Sequence, residues 1–228
     1  MTCRSRKRIA CAFVASALLA LAACTSVPVE VAFDPALFPR QPVETTFDGR
    51  VAVLADPAAV EMTVTGEKVQ RGLDLERPLQ VPIGRVVHEA ALAAFADAFR
   101  GGAPTADRAG AVPGAPTVAL RVVHYDYHTR LLGRFAVPFL FVTVWEKWRL
   151  DVQLAIELRL LDVDGAVLLS TVYSSGLRTW EHTEAQTAEG NVEELVRVTH
   201  ETAFSLMRDA ARDVGEWLRN ERLRERPL

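Results

Sequence analysis

From Lys147 to Leu160 the chain alternates without a break. Trp148, Leu150, Val152, Leu154, Ile156, Leu158 and Leu160 fall on one side of an extended backbone; Lys147, Arg149, Asp151, Gln153, Ala155, Glu157 and Arg159 fall on the other. A helix would scatter both sets around its circumference. Period-two alternation of this length demands a strand in a sheet with one face buried and one face wet. Any fold for this chain must therefore supply an apolar layer for one side of a long sheet.

The flanking sequence supplies the partners. Asp162-Val163-Asp164-Gly165 is turn chemistry, so Ala166 to about Trp180 is expected to return as a hairpin strand. Thr117 to Leu131 reads as a long strand on the other side. Earlier, Arg50 to Ala55 reads as a short strand stopped by Asp56-Pro57, and Val60 to Thr65 as a second strand ending at Gly66. A polar connection is expected from there to Pro78.

Two segments carry helical spacing. In Arg85 to Arg100, Val86, Leu92, Ala93, Phe95, Ala96 and Phe99 fall largely on one side, with His88, Glu89 and Asp97 off or beside that stripe. Gly101-Gly102 closes the segment, and Gly101 to Pro116 reads as a long loop. After a polar break from Glu181 to Gly190, Val192 to about Arg222 repeats apolar residues at three- and four-residue steps, from Leu195 through Met207 to Trp217. Arg219, Arg222, Arg224 and Arg226 crowd its end, where cations suit the helix dipole. The expected fold class is α+β: a two-layer domain, a mainly antiparallel sheet with two helices on one face.

The first two dozen residues have a different character. Arg4, Arg6, Lys7 and Arg8 precede an apolar run from Ile9 to Ala23 broken only by Ser16. A bilayer span needs about 20 apolar residues, so this run is short for an anchor and has the layout of an export signal. Its end, Leu21-Ala22-Ala23-Cys24, resembles a bacterial lipobox. The resemblance implies cleavage before Cys24 and a covalent lipid on its thiol, each buried CH₂ adding about 0.8 kcal/mol of anchoring. In that family an Asp after the cysteine favours inner-membrane retention; Thr25 stands here, which implies the periplasmic face of the outer membrane.

The expected division is residues 1–23 as signal peptide, 24–46 as lipidated cysteine and extended tether, and 47–228 as one α+β domain. Pro28, Pro35, Pro39 and Pro42 keep the tether extended, and Phe33, Leu37 and Phe38 are apolar enough to dock on the domain. Past the signal the chain carries 22 basic against 29 acidic residues. That balance disfavours nucleic acid, because phosphate contact needs a basic face. Cys3 and Cys11 leave with the signal, so no disulfide or cysteine-rich metal site is expected.

Three places carry candidate chemistry. His124, Asp126 and His128 point the same way on a regular strand, continuing the face of Val118, Leu120 and Val122, so they can converge on a metal, with His182 or Glu184 as a further ligand. The same residues also fit a strand emerging into water, with Tyr125 and Tyr127 becoming the packed side. Ser174-Ser175-Gly176 lacks the nucleophile elbow, and no glycine-rich phosphate loop is present. The stretch Phe135 to Trp145 is apolar where a polar turn is expected: Phe135, Val137, Phe139, Leu140, Phe141 and Trp145 stand around Pro138, flanked by Arg130, Arg134, Lys147 and Arg149. It is either a buried strand continuation or an exposed apolar tip for a lipid surface or a partner's groove.

The lipobox, the tether and the strand–helix–strand–helix order together resemble small outer-membrane lipoproteins of envelope transport and assembly, the LptE-like, YajG-like and PqiC-like groups. The resemblance implies a non-enzymatic accessory to a larger envelope complex, with no cofactor beyond the lipid on Cys24. The alternatives are a lipid- or glycan-binding module and a metal-dependent enzyme at His124, Asp126 and His128.

Overall fold

The computed structural model describes Val27–Pro28 and residues 46–71, 75–137, 142–185 and 190–224 of the 228-residue chain. At 27–28, 66–71, 75–79, 131, 134–137, 142–146, 182, 184–185, 190–193 and 222–224 that description is of the backbone. Cys24, and the tip residues Phe139, Leu140 and Phe141, lie outside the described residues.

The elements are β1 (Val27–Pro28), β2 (Ala52–Leu54), α1 (Pro57–Val60), β3 (Val64–Arg71), β4 (Leu75–Val81), α2 (Ile83–Ala98), β5 (Thr105–Ala106), β6 (Thr117–Val137), β7 (Val142–Leu161), β8 (Val167–Ala185) and α3 (Gly190–Arg224). The main sheet has the order β5-β2-β6-β7-β8 and a small one the order β1-β4-β3. The three long strands pair antiparallel; β2 is parallel to both its neighbours. Helices α2 and α3 pack on each other and on the sheet, giving the expected α+β architecture.

The alternating segment is β7, and it sits between the other two long strands. Leu150, Val152, Leu154, Ile156, Leu158 and Leu160 are all buried beneath the helices. Each such leucine or isoleucine stabilises the fold by about 1.5–3 kcal/mol. Their cover comes from Val87, Ala91 and Phe95 of α2 and from Val198, Met207 and Val214 of α3.

The buried stripe of α2 is broader than its spacing predicts. Ala90, Ala91, Ala94 and His88 are buried, Leu92 and Ala93 are partly so, and Ala96 is exposed. The cause is that α2 meets α3 as well as the sheet, so more than one side is covered. The start of α2 also sits close against α1: a Cβ on Gly84 would lie 2.0 Å from the Ala59 carbonyl oxygen. Where the chain enters the domain, the Phe47 ring lies against α3, and a Cβ on Gly215 would come within 2.1 Å of it.

Several expected boundaries move. Pro57–Val60 is a helical turn capped by Asp56, whose Oδ1 accepts from the Ala58 N–H at 3.1 Å, so the second strand starts at Val64. The expected polar connection to Pro78 is the β3–β4 hairpin, its polar sequence and Pro78 masking the pairing. The expected loop from Gly101 contains β5, held parallel on β2. The strand after the Asp162 turn continues past Trp180 to Ala185, into the expected break. Of the expected tether, Val27–Pro28 pairs with Leu79–Gln80 of β4.

Leu154→Ala opens a hole in the middle of the fully buried row. It is expected to cost about 2–5 kcal/mol, read as a lower urea midpoint with an unchanged slope; a loss under about 0.5 kcal/mol would show that this row is not the core.

Candidate functional site

The outer face of the long sheet, away from the helices, is where His124, Asp126 and His128 emerge. They do not share a face with the apolar residues before them. Val122 pairs with Ile156 and His124 with Ala155, so Val123 is an extra residue in β6. This bulge reverses the phase of the strand. Before it, Val118 and Val122 are buried; after it, Tyr125 and Tyr127 are buried, while Val123, His124 and His128 are exposed. The expectation that His124, Asp126 and His128 continue the face of Val118, Leu120 and Val122 is corrected by that one residue.

The tyrosines are fastened once they turn inward. The Tyr125 hydroxyl and the Thr199 hydroxyl of α3 lie 2.9 Å apart in the core. Burial pushes the Tyr125 phenol well above its usual range, against the opposing effect of that bond. Along β8, Tyr173 donates to Asp213 at 3.2 Å and Arg178 to Ser205 at 3.2 Å, tying the same helix to the edge of the sheet.

The wet face is a lattice of paired charges. His128 Nε2 lies 3.0 Å from Asp126 Oδ2. The Glu157 carboxylate is gripped on both sides, by Arg159 at 2.7 Å and Arg121 at 2.7 Å, and those hydrogen bonds hold it below the usual range, Arg159's foremost. Burial works to raise the Asp151 carboxyl, but the Thr179 hydroxyl and Arg149 outweigh it and hold it low. Lys147 pairs with Glu181 at 2.7 Å. The cross-strand contacts among these, Arg121–Glu157, Thr179–Asp151 and Lys147–Glu181, follow from register, which the sequence alone leaves open.

Among the described residues, no group of three or more His, Cys, Asp or Glu is placed to hold one metal ion. His182 pairs in register with Trp148, and Glu184 with Glu146, whereas Asp151 and Thr179 share the row of His128. The backbone thus sets His182 three rows from His128, about 10 Å along the sheet. Between α1, α2 and β6 a crevice lined by Leu54, Val87, His88 and Leu120 has room for at most about one water molecule.

The apolar stretch from Phe135 lies at the far end of the hairpin. β6 runs to Val137 and β7 begins at Val142, with Phe135 opposite Trp145 and Val137 opposite Val142. Its two flanks, Phe135–Val137 and Val142–Trp145, are therefore strand, and residues 138–141 lie outside the described residues. Among the residues whose burial is described, Leu150 is the last buried one of β7 on this side. From there to Val142 the paired backbone continues for about 25 Å.

Two histidines inside the helical layer give this protein a pH signature. Burial lowers the pKa of both His88 and His200; Glu89 and the Val196 carbonyl, 2.8 Å from His200 Nδ1, oppose it to a smaller extent. The folded state prefers both neutral, so the unfolded chain takes up protons first. Stability is full above pH about 6.5 and is lost as pH falls below it. The urea midpoint is expected to fall between pH 7.5 and 5.5, a window above carboxylate titration; a flat profile would contradict the buried neutral imidazoles.

No protein-family model matches the chain, and no curated protein matches it. Solved structures similar to it include a lipoprotein B described as uncharacterized from Nitrosomonas europaea, 16% identical, with a TM-score of 0.31, covering 81% of this chain and 88% of that one. The rare lipoprotein B from Shewanella oneidensis is 10% identical, with a TM-score of 0.35 and 75% and 98% coverage. A minor lipoprotein from Acinetobacter baumannii is 11% identical, with a TM-score of 0.27 and 76% and 94% coverage. None of the three reaches a TM-score of 0.5, so a functional reading rests on the chain's own residues.

Proposed function

We propose that this chain is a lipid-anchored protein of the bacterial envelope, held at the periplasmic face of the outer membrane through Cys24. It serves there as a non-enzymatic accessory to a larger transport or assembly complex. The observation that carries the reading is the position of Phe135–Val137 and Val142–Trp145. These apolar, cation-flanked segments lie at the far end of a paired hairpin, Val142 about 25 Å along β7 from the buried Leu150, which suits contact with another molecule. Arg130, on the strand behind them, suits an acidic rim or anionic headgroups. The export signal and lipobox support the address.

A second reading, a lipid- or glycan-binding module, draws on the same tip. The two separate in one experiment: capture of the lipidated full chain from native membranes in mild detergent, with bound proteins and lipids identified by mass spectrometry and Phe139→Asp as the comparison. The accessory role predicts a stoichiometric envelope protein that is lost at least tenfold with Phe139→Asp while the variant still folds. A defined lipid without a protein transfers the tip to the second reading. Capture unaffected by Phe139→Asp removes the tip from both.

A further inference from the structure

We infer that β8 is a self-pairing edge, where a second copy of the chain adds its own β8 antiparallel across a two-fold axis at Val172. Two separate features of this strand point the same way.

The first is its exposed edge. β8 closes the five-stranded sheet and among the described residues pairs with β7 alone. Strands at sheet edges ordinarily carry charge, proline or bulges to repel another strand. From Val167 to Leu177 this one has no charge and no proline, and relies on its two bulges alone. On its outward column Val167, Val172 and Leu177 are 56%, 59% and 64% exposed. The inner columns of the same face carry the charge lattice instead.

The second is a partial two-fold symmetry about Val172, and it favours a copy of this chain as the occupant. Ser170 and Ser174 lie two residues to either side of Val172, and Val167 and Leu177 lie five to either side. The bulges are placed symmetrically too. Leu168 is the extra residue on one side, and on the other Ser175-Gly176 stands opposite Leu154, with Gly176 at φ 61°. An antiparallel pair about Val172 therefore sets Val172 against itself, Ser170 against Ser174, and Val167 against Leu177, with the bulges in step. Such an isologous contact closes as a dimer.

Cross-linking of the full-length lipidated chain in its membrane tests this. Directly opposed residues on antiparallel strands have Cα atoms about 4.5–5.5 Å apart, within disulfide range. Val172→Cys alone is expected to give a disulfide-linked dimer under mild oxidation. Ser170→Cys with Ser174→Cys is expected to do the same, and Ser170→Cys alone at least tenfold less. Val172→Lys is expected to weaken the dimer at least tenfold in sedimentation of the detergent-solubilised protein, with an unchanged melting temperature. A monomer from Val172→Cys would overturn the pairing. A cross-link to a chain of different mass would assign the edge to another protein's strand. Equal yield from both single serine and valine variants would overturn the two-fold register.

Discussion

The unbroken buried row on β7 is the constraint to which the rest of this protein conforms. From Leu150 to Leu160 every second side chain is in the core, and β7 contains no bulge over that span. Its neighbours adjust to it instead. β6 accommodates Val123 and Leu132 as extra residues, and β8 accommodates Leu168 and the Ser175-Gly176 pair. A bulge costs little on a strand with one wet face, because the extra side chain can turn to water: Val123, Leu132 and Leu168 are all exposed. On β7 the same insertion would drive charged residues into the helical layer, where an unpaired charge is far more costly than a lost hydrogen bond.

This arrangement divides the labour between the two faces. The helix-covered face holds nearly all the apolar burial, with single polar ties, Tyr125 to Thr199 and Arg178 to Ser205, fixing where α3 lies. The wet face holds paired charges whose individual contributions in water are small, about 0–1 kcal/mol each. Their role is one of specification: a slip of β7 against its two neighbours would break Arg121–Glu157 and Lys147–Glu181 together. The contacts proposed with other molecules lie at the margins of the sheet, at the apolar hairpin end and along Val167–Leu177 of β8.

The sheet and both long helices were legible in the sequence because β7 and α3 keep one periodicity over many residues. Elements without such periodicity were not. The β3–β4 hairpin holds glycine, proline and alternating charge, and its pairing is set by contact rather than by pattern. Pro57–Val60 looks strand-like until Asp56 caps it. The face of His124, Asp126 and His128 was misread because a bulge leaves no composition signal: Val122-Val123 is ordinary strand sequence, and only the count against β7 reveals the extra residue. His88 was placed off the core stripe because one helix read alone shows one buried side, whereas α2 has two neighbours.

The central claim, that Val123 is surplus to a ladder dictated by β7, is tested most directly by thermal unfolding of the chain with Val123 deleted. If Val123 is the bulged residue, its removal leaves every β6–β7 pair in place and restores simple alternation. Cooperative unfolding is then expected within about 5 °C of the parent, a change of some 1–2 kcal/mol. If β6 instead alternates regularly through Val123, the deletion throws half the strand out of phase, and loss of cooperative unfolding would contradict the account.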